Sequence, residues 1–219
     1  MIVPDFMLLA QQCGPDVSPA TMAAIVRTES GFNPYAIGVV RGRLLRQPAS
    51  IGEAIATAHA LDTGGWNYSV GLAQVNRSNW PRLGLSLTNA FDPCRNLAAG
   101  AAILRECFQL ARASQADVQR ALRQSLSCYA SGDFSTGYRT GYVQRVVDNA
   151  AARALPTVPA IVPTIVPTVP PIPVVPVDPD GPPGQLRRRT VQHDQPGTDR
   201  TDPQEGGRGK KPDSSAVVF

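Results

Sequence analysis

Between residues 155 and 177 the chain carries no charged side chain, and prolines stand at 156, 159, 163, 167, 170, 171, 173 and 176. No other stretch limits the fold as strongly. Its Val and Ile content would let a hydropathy window flag a membrane span. A proline at nearly every turn, however, removes helix hydrogen bonds and clashes with the preceding turn. The tandem Ile161-Val162-Pro163-Thr164 and Ile165-Val166-Pro167-Thr168 is a local four-residue repeat. Such a sequence favours extended polyproline II, so residues 155–180 are expected to act as a semi-rigid spacer or, alternatively, as a ligand for an aromatic groove. No transmembrane segment is expected. Residues 181–219 are mostly Gly, Pro, Asp, Arg and Gln, with too little apolar surface to offset the entropy of ordering, which predicts a disordered polar tail. Its Arg187-Arg188-Arg189 cluster reads as a solvated tail feature. Any folded domain therefore falls within residues 1–154.

That domain reads as mainly α with a small β element. A short helix is expected over residues 4–13. Ser18 caps a second, with Pro19 at its first position. Residues 38–46 are apolar, basic and β-branched, as in a short strand or hairpin arm. Ser50 and Glu53 form a capping-box pattern ahead of a helix to Asp62, which Gly64-Gly65 ends. Asp92-Pro93 opens a long helix to Ala111 with Leu97, Ala101, Leu104 and Phe108 on one stripe. Further helices are expected over residues 115–129, before Gly132, and 141–154, with Tyr142, Val146 and Ala150 on one face.

Charge and cysteines narrow the function. The formal net charge of +4 falls on residues 1–155, which hold 14 Arg, no Lys and 10 Asp plus Glu. A modest excess of this kind suits an acidic polymer or a cell-envelope surface. Nucleic acid is a poor fit, because the arginines are scattered without interleaved aromatics. Cys13, Cys94, Cys107 and Cys128 are even in number and widely spaced, suggesting disulfides in an oxidising compartment, with buried free thiols as the alternative. No close Cys pair marks a zinc site, and only His59 and His193 could add nitrogen ligands, so neither metal nor organic cofactor is implied. The start, Met1-Ile2-Val3-Pro4-Asp5, has no basic n-region and an acid interrupts its apolar stretch. No export signal is evident in it; an envelope location would need another route or an upstream start.

One acid stands out. Glu29 closes the apolar helical run from Ser18, and Asn33-Pro34 stops the helix four residues on. The negative end of the helix dipole disfavours an ionised carboxylate there, and Ile25, Val26 and Phe32 would take water away from it. A carboxyl kept protonated near neutral pH is what a glycosidase needs to protonate a leaving sugar oxygen. Taken alone, an exposed Glu ending a surface helix explains the same residues. A second segment, residues 66–76, mixes Trp66, Tyr68, Gly71, Gln74 and Asn76. Aromatics stack on sugar rings, amides pair with hydroxyl and acetamido groups, and a central Gly allows close backbone approach to a ligand. A third, Cys128-Tyr129-Ala130-Ser131-Gly132, puts a Tyr at a helix end.

In this order and spacing the three segments resemble the soluble lytic transglycosylase family, which is lysozyme-like in fold. Glu29-Ser30-(x2)-Asn33-Pro34 resembles the catalytic-glutamate motif, and Gly71-Leu72-Ala73-Gln74-Val75-Asn76 the family's Gly-Leu-Met-Gln-Ile-Asn. Asp92-Pro93-Cys94-(x)-Asn96 resembles its third helix, Tyr129-Ala130-Ser131-Gly132 its Tyr-Asn-Ala-Gly motif, and Tyr142-Val143-(x2)-Val146 its closing helix. The resemblance covers residues 5–153. Within the family, Leu8-Leu9-Ala10-Gln11-Gln12-Cys13 and Tyr35-Ala36-Ile37-Gly38-Val39, together with the insertion carrying the helix at 50–62, are similar to the transglycosylase component of type IV secretion systems. Ala73 and Ala130 depart from the family's Met and Asn; neither removes the acid.

The resemblance implies cleavage of the β-1,4 bond between N-acetylmuramic acid and N-acetylglucosamine in peptidoglycan, with a 1,6-anhydro product. Glu29 would be acid and then base, Tyr129 would hold it by a hydroxyl hydrogen bond, and Ser69 and Gln74 would bind the sugars. Gly71, Asn76 and Tyr142 complete the expected substrate-binding set. Cys13 is expected to pair with Cys94, and Cys107 with Cys128. No second acid falls in a matched motif, and Asp62 is read as a helix-end residue. A periplasmic or envelope location follows, with glycan strands as substrate and secretion-system components as partners of the proline-rich tail. A lysozyme-like hydrolase and a non-catalytic glycan-gripping assembly module are the competing readings.

Overall fold

Local sequence signals set most helix ends in the computed structural model, which describes residues 5–151 and 169–177. Helix α1 (Phe6–Cys13) begins at Asp5, whose carboxylate accepts a hydrogen bond from Met7 N at 3.0 Å. Helix α2 (Pro19–Ser30) carries the expected proline in its first turn, but Ser18 makes no side-chain cap bond; the fixed φ of Pro19 already favours the helical start. Helix α3 (Ile51–Thr63) has half of the expected capping box, with Glu53 N donating to Ser50 Oγ at 3.3 Å. The other half shifts by one residue. Glu53 accepts from Ala49 N at 2.8 Å and from both Arg46 guanidinium nitrogens.

After α3 the chain makes a single 3-10 turn at Arg77–Asn79 and the short helix α4 (Trp80–Leu83). Helix α5 (Pro93–Ser114) is capped by Asp92, and α6 (Val118–Ser131) by Asp117. Helices α7 (Thr136–Arg139) and α8 (Tyr142–Ala151) follow. α4 and α7 have four residues each, too few to show a helical period in sequence. On the α5 stripe Leu97, Ala101 and Leu104 are buried, while Phe108 is half-buried. On α8, Tyr142 and Val146 are buried, but Val143 joins them and Ala150 is exposed.

The hairpin arm expected over residues 38–46 contains two strands, β1 (Ile37–Val39) and β2 (Gly42–Leu44). β1 pairs antiparallel with β3 (Tyr68–Val70), which pairs in turn with β4 (Val75–Asn76). β2 pairs with β5 (Val174–Pro176). The part of the proline-rich stretch at 169–177 is thus extended, but it does not stand off as a spacer. It lies back on the domain, with Ile172 only 6% exposed. The remaining spacer residues and the polar tail lie outside the described residues.

Apolar side chains gather in two clusters. One joins α1, α2, Phe32, Leu72 and the inner faces of α5, α6 and α8; the other joins the strands, α3, Trp80, Phe91 and Ile172. Both expected disulfides are present, Cys13–Cys94 and Cys107–Cys128, and among the described residues no cysteine is free. The first spans 81 residues of sequence and ties α1 to the start of α5; the second spans 21 and staples α5 to α6. Loop-closure entropy assigns them about 4.5 and about 3.3 kcal/mol. Among the described residues no helix is long and apolar enough to cross a membrane.

Candidate active site

Glu29 sits at the foot of a cleft of about 320 Å³ whose lining draws on both core clusters. The local sequence explains its position. Gly31 (φ 58°) and Phe32 (φ 69°) are both left-handed, so the chain turns sharply as α2 ends, two residues before the Asn33-Pro34 step. Left-handed Phe32 costs on the order of 1 kcal/mol; its ring is held edge-on to Phe6 at 5.0 Å, with Arg27 5.5 Å above it. Asn33 then closes an Asx turn on Tyr35 N at 2.9 Å.

The acid is 7% exposed, and burial raises its pKa to about 7. Two influences oppose that shift, the hydrogen bond from the Tyr142 hydroxyl to Glu29 Oε1 and the positive charge of Arg145. Desolvation wins, because removing water from a carboxylate outweighs one donor and one cation at the cleft edge. At neutral pH the group is therefore divided between proton donor and acceptor forms.

The holding role falls to Tyr142, not Tyr129. The Tyr129 hydroxyl instead donates to Ala73 O at 2.6 Å, though its ring still lines the cleft near Glu29. Two tyrosines at the ends of neighbouring helices are interchangeable in sequence; only the packing of α8 against α2 brings Tyr142 to the carboxylate.

The turn at 71–74 is pinned from four sides. Gly71 N donates to Ala36 O at 2.9 Å, and the Ser30 hydroxyl to Leu72 O at 2.8 Å. Ala73 N donates to Asn96 Oδ1 at 2.7 Å, and Tyr129 reaches Ala73 O. Asn96, fully buried, also donates to Val70 O and Ala90 O, both at 2.9 Å. This corrects the expectation for Gly71. Its φ is +80°, and a β-carbon there would lie 2.4 Å from Asn96 Nδ2, so the glycine makes room for an internal clamp, not for a ligand. Ala73 fits the same logic, since it packs against Gly100 of α5, where a β-carbon would stand 2.6 Å from Ala73 Cβ.

Gln74 and Asn76 are both partly committed to the scaffold. Gln74 Nε2 donates to Ala36 O and Gly71 O, each at 3.0 Å, leaving its buried Oε1 without a partner at the cleft wall. Asn76 Nδ2 donates to Asn67 Oδ1 and Ser69 Oγ, while Asn76 Oδ1 accepts from Ser78 N and Oγ. Ser69, Gln74, Asn76, Tyr129 and Tyr142 all line the cleft with Glu29; Gly71 does not. So do Ala130, Ser131 and Gly132, the rest of the third segment.

Sequence reasoning missed Val40, Asn67, Asn79, Ile103, Thr136 and Arg145, which also line it. Arg145 carried a readable signal, three residues after Tyr142 on the same helix face. Among the described lining residues Glu29 is the one carboxylate. Asp62 is engaged elsewhere, accepting from the Tyr68 hydroxyl at 2.9 Å and pairing with Arg77 at 3.0 Å.

Comparison with known proteins agrees with this geometry. The family model described as the transglycosylase SLT domain matches residues 6–150. The type IV secretion system protein virB1 of Brucella abortus is 53% identical over 159 residues, covering 70% of this chain and 67% of that protein. Its counterpart in Brucella suis is 53% identical over 157 residues, 69% of this chain and 66% of its own length. Protein virB1 of Agrobacterium fabrum is 33% identical over 159 residues, 69% of this chain and 61% of its own length. The chain thus spans about two thirds of these relatives. No solved structure matches it. With a matched model across most of the described domain and its motif residues gathered at one cleft, the chain belongs to the transglycosylase SLT domain family.

Proposed function

We propose that this chain is a peptidoglycan lytic transglycosylase that opens the cell wall locally for a type IV secretion apparatus, with Glu29 as its single acid and base. The observation carrying this reading is buried Glu29, its pKa raised by desolvation, standing as the one carboxylate among the described lining residues of the cleft. Protonated Glu29 donates to the glycosidic oxygen between N-acetylmuramic acid and N-acetylglucosamine. The substrate's own acetamido oxygen stabilises C1 as the bond breaks. Glu29, now a carboxylate, takes the proton of the muramoyl C6 hydroxyl as that oxygen attacks C1, closing the 1,6-anhydro ring and returning the acid to its starting form. A two-carboxylate glycosidase would place a second acid opposite the first; Asp62, the nearest candidate by motif, is held in an ion pair with Arg77.

Tyr142 orients the carboxyl through its hydroxyl. Ser69, Gln74 and Asn76 line the cleft with the acid, and Tyr129 offers a ring face. The virB1 relatives bear the name of type IV secretion components, which supports the secretion context and an envelope location. Two disulfides fit the oxidising periplasm. Any recruitment of secretion components falls to the tail outside residues 169–177, since that piece is occupied on the domain. The test is Glu29→Gln, which keeps shape and removes the titrating proton. Wall lysis should fall by about a thousandfold or more; a mutant retaining full lytic activity would sink the reading, and so would intact lysis-independent secretion, which favours the assembly-module alternative.

A further inference from the structure

The segment 169–177 lies outside the 6–150 span of the family match, yet it occupies a groove shaped for it between α3 and β2. Ile172 is buried in the apolar cluster that also holds Leu44, Ala54 and Ala58. Its N–H donates at 3.0 Å to the hydroxyl of Thr57, a fully buried polar side chain of α3. The floor is tight at Gly42, where a β-carbon would stand 3.1 Å from Trp66 and Val39 and 3.2 Å from Val174 Cγ2. Backbone bonds fix the register, with Leu45 N donating to Pro173 O at 3.1 Å and Val177 N to Arg41 O at 3.0 Å. Pro176 suits the seat. Pro176 faces Gly42 at the position between bonded pairs, where its missing N–H costs the ladder nothing.

The far end of this strand bonds to the residue next to the candidate cleft. Arg41 O, which receives Val177, follows Val40, and Val40 lines the cleft with its own N–H bonded to Asn67 O at 2.9 Å. We propose that residues 169–177 are a strap that braces the β1–β2 arm, so that a segment beyond the family domain helps hold the glycan-binding wall at Val40. Residues 152–168 join the strap covalently to α8, so its meeting with the groove is intramolecular. The chain's own segment therefore fills the groove in preference to that of a second copy.

The binding part of this proposal rests on the glycan-cleaving reading above; the docking part does not. Two variants of the full chain test both, Ile172→Asp to unseat the strap and Thr57→Val to remove only its acceptor. Ile165→Asp serves as a control of like chemistry in the tether. Amide hydrogen exchange at Leu45 should quicken at least about tenfold in Ile172→Asp, less in Thr57→Val, and stay unchanged in the control. KM for glycan should rise about fivefold in Ile172→Asp with kcat within about twofold, while exchange in α2 is unaltered. Unchanged Leu45 exchange in both strap variants would overturn the docking. Faster exchange with an unaltered KM would overturn the brace. Leu45 protection lost on dilution through the micromolar range would place a second copy's segment in the groove and overturn the intramolecular strap. If the wild type cleaves no glycan, the functional reading fails and the exchange measurements still decide the docking.

Discussion

Glu29 is where burial and hydrogen bonding pull in opposite directions. Its pKa of about 7 against the ordinary 4.5 means the folded state holds a proton that the unfolded chain releases. Stability from that proton is full below the unfolded value and is lost as pH rises through about 7, a loss of roughly 3 kcal/mol when complete. Glu29→Gln cannot suffer it. Urea unfolding with the disulfides intact should therefore show the mutant gaining on the wild type between pH 4 and pH 8 by up to about 3 kcal/mol; parallel profiles would contradict the buried carboxyl. Wild-type cleavage should fall along an alkaline limb near pH 7, since the acid form begins the reaction. Tyr142→Phe removes the one donor that favours the ionised form. It should move that limb to higher pH and slow cleavage about ten- to a hundredfold, whereas Tyr129→Phe, which loses a bond to Ala73 O, should leave the limb in place.

At the scale of elements the turn at 71–74 and the strap carry the argument. Asn96 satisfies three backbone groups of the turn and its surroundings, so Asn96→Ala strands them in the interior. The expected loss is about 3 kcal/mol in urea unfolding, with a larger fall in activity than any change at the exposed face of α5; a neutral result would mean the turn is held by its other bonds. The elements also show what could be read beforehand. Caps at Ser50, Asp92 and Gly132, and the motif residues Glu29, Gln74 and Tyr129, are local patterns that a sequence displays directly. Tyr142's reach to Glu29, Gly71's fit against Asn96 and the seating of 169–177 are pairings across more than twenty residues, decided by packing. The prolines pointed to an extended spacer; residues 169–177 are extended, but as a strand paired back onto the domain. Nothing local could say that Thr57, more than a hundred residues earlier, offers it a hydroxyl.

For the whole molecule, the cleft owes its place to the meeting of two core clusters, one helical and one around the strands. Disulfides hold the helical side, through α1 to α5 and α5 to α6. The strap braces the other. The arginine excess of the folded part suits a wall polymer whose peptide stems carry carboxylates. With Glu29 as the one carboxylate among the described lining residues, the proposed mechanism takes its attacking oxygen from the substrate, where a hydrolase would take it from solvent. Digesting purified peptidoglycan in isotopically labelled water and weighing the fragments tests this most directly. The account predicts 1,6-anhydromuramoyl ends that carry no label; labelled reducing ends would contradict it.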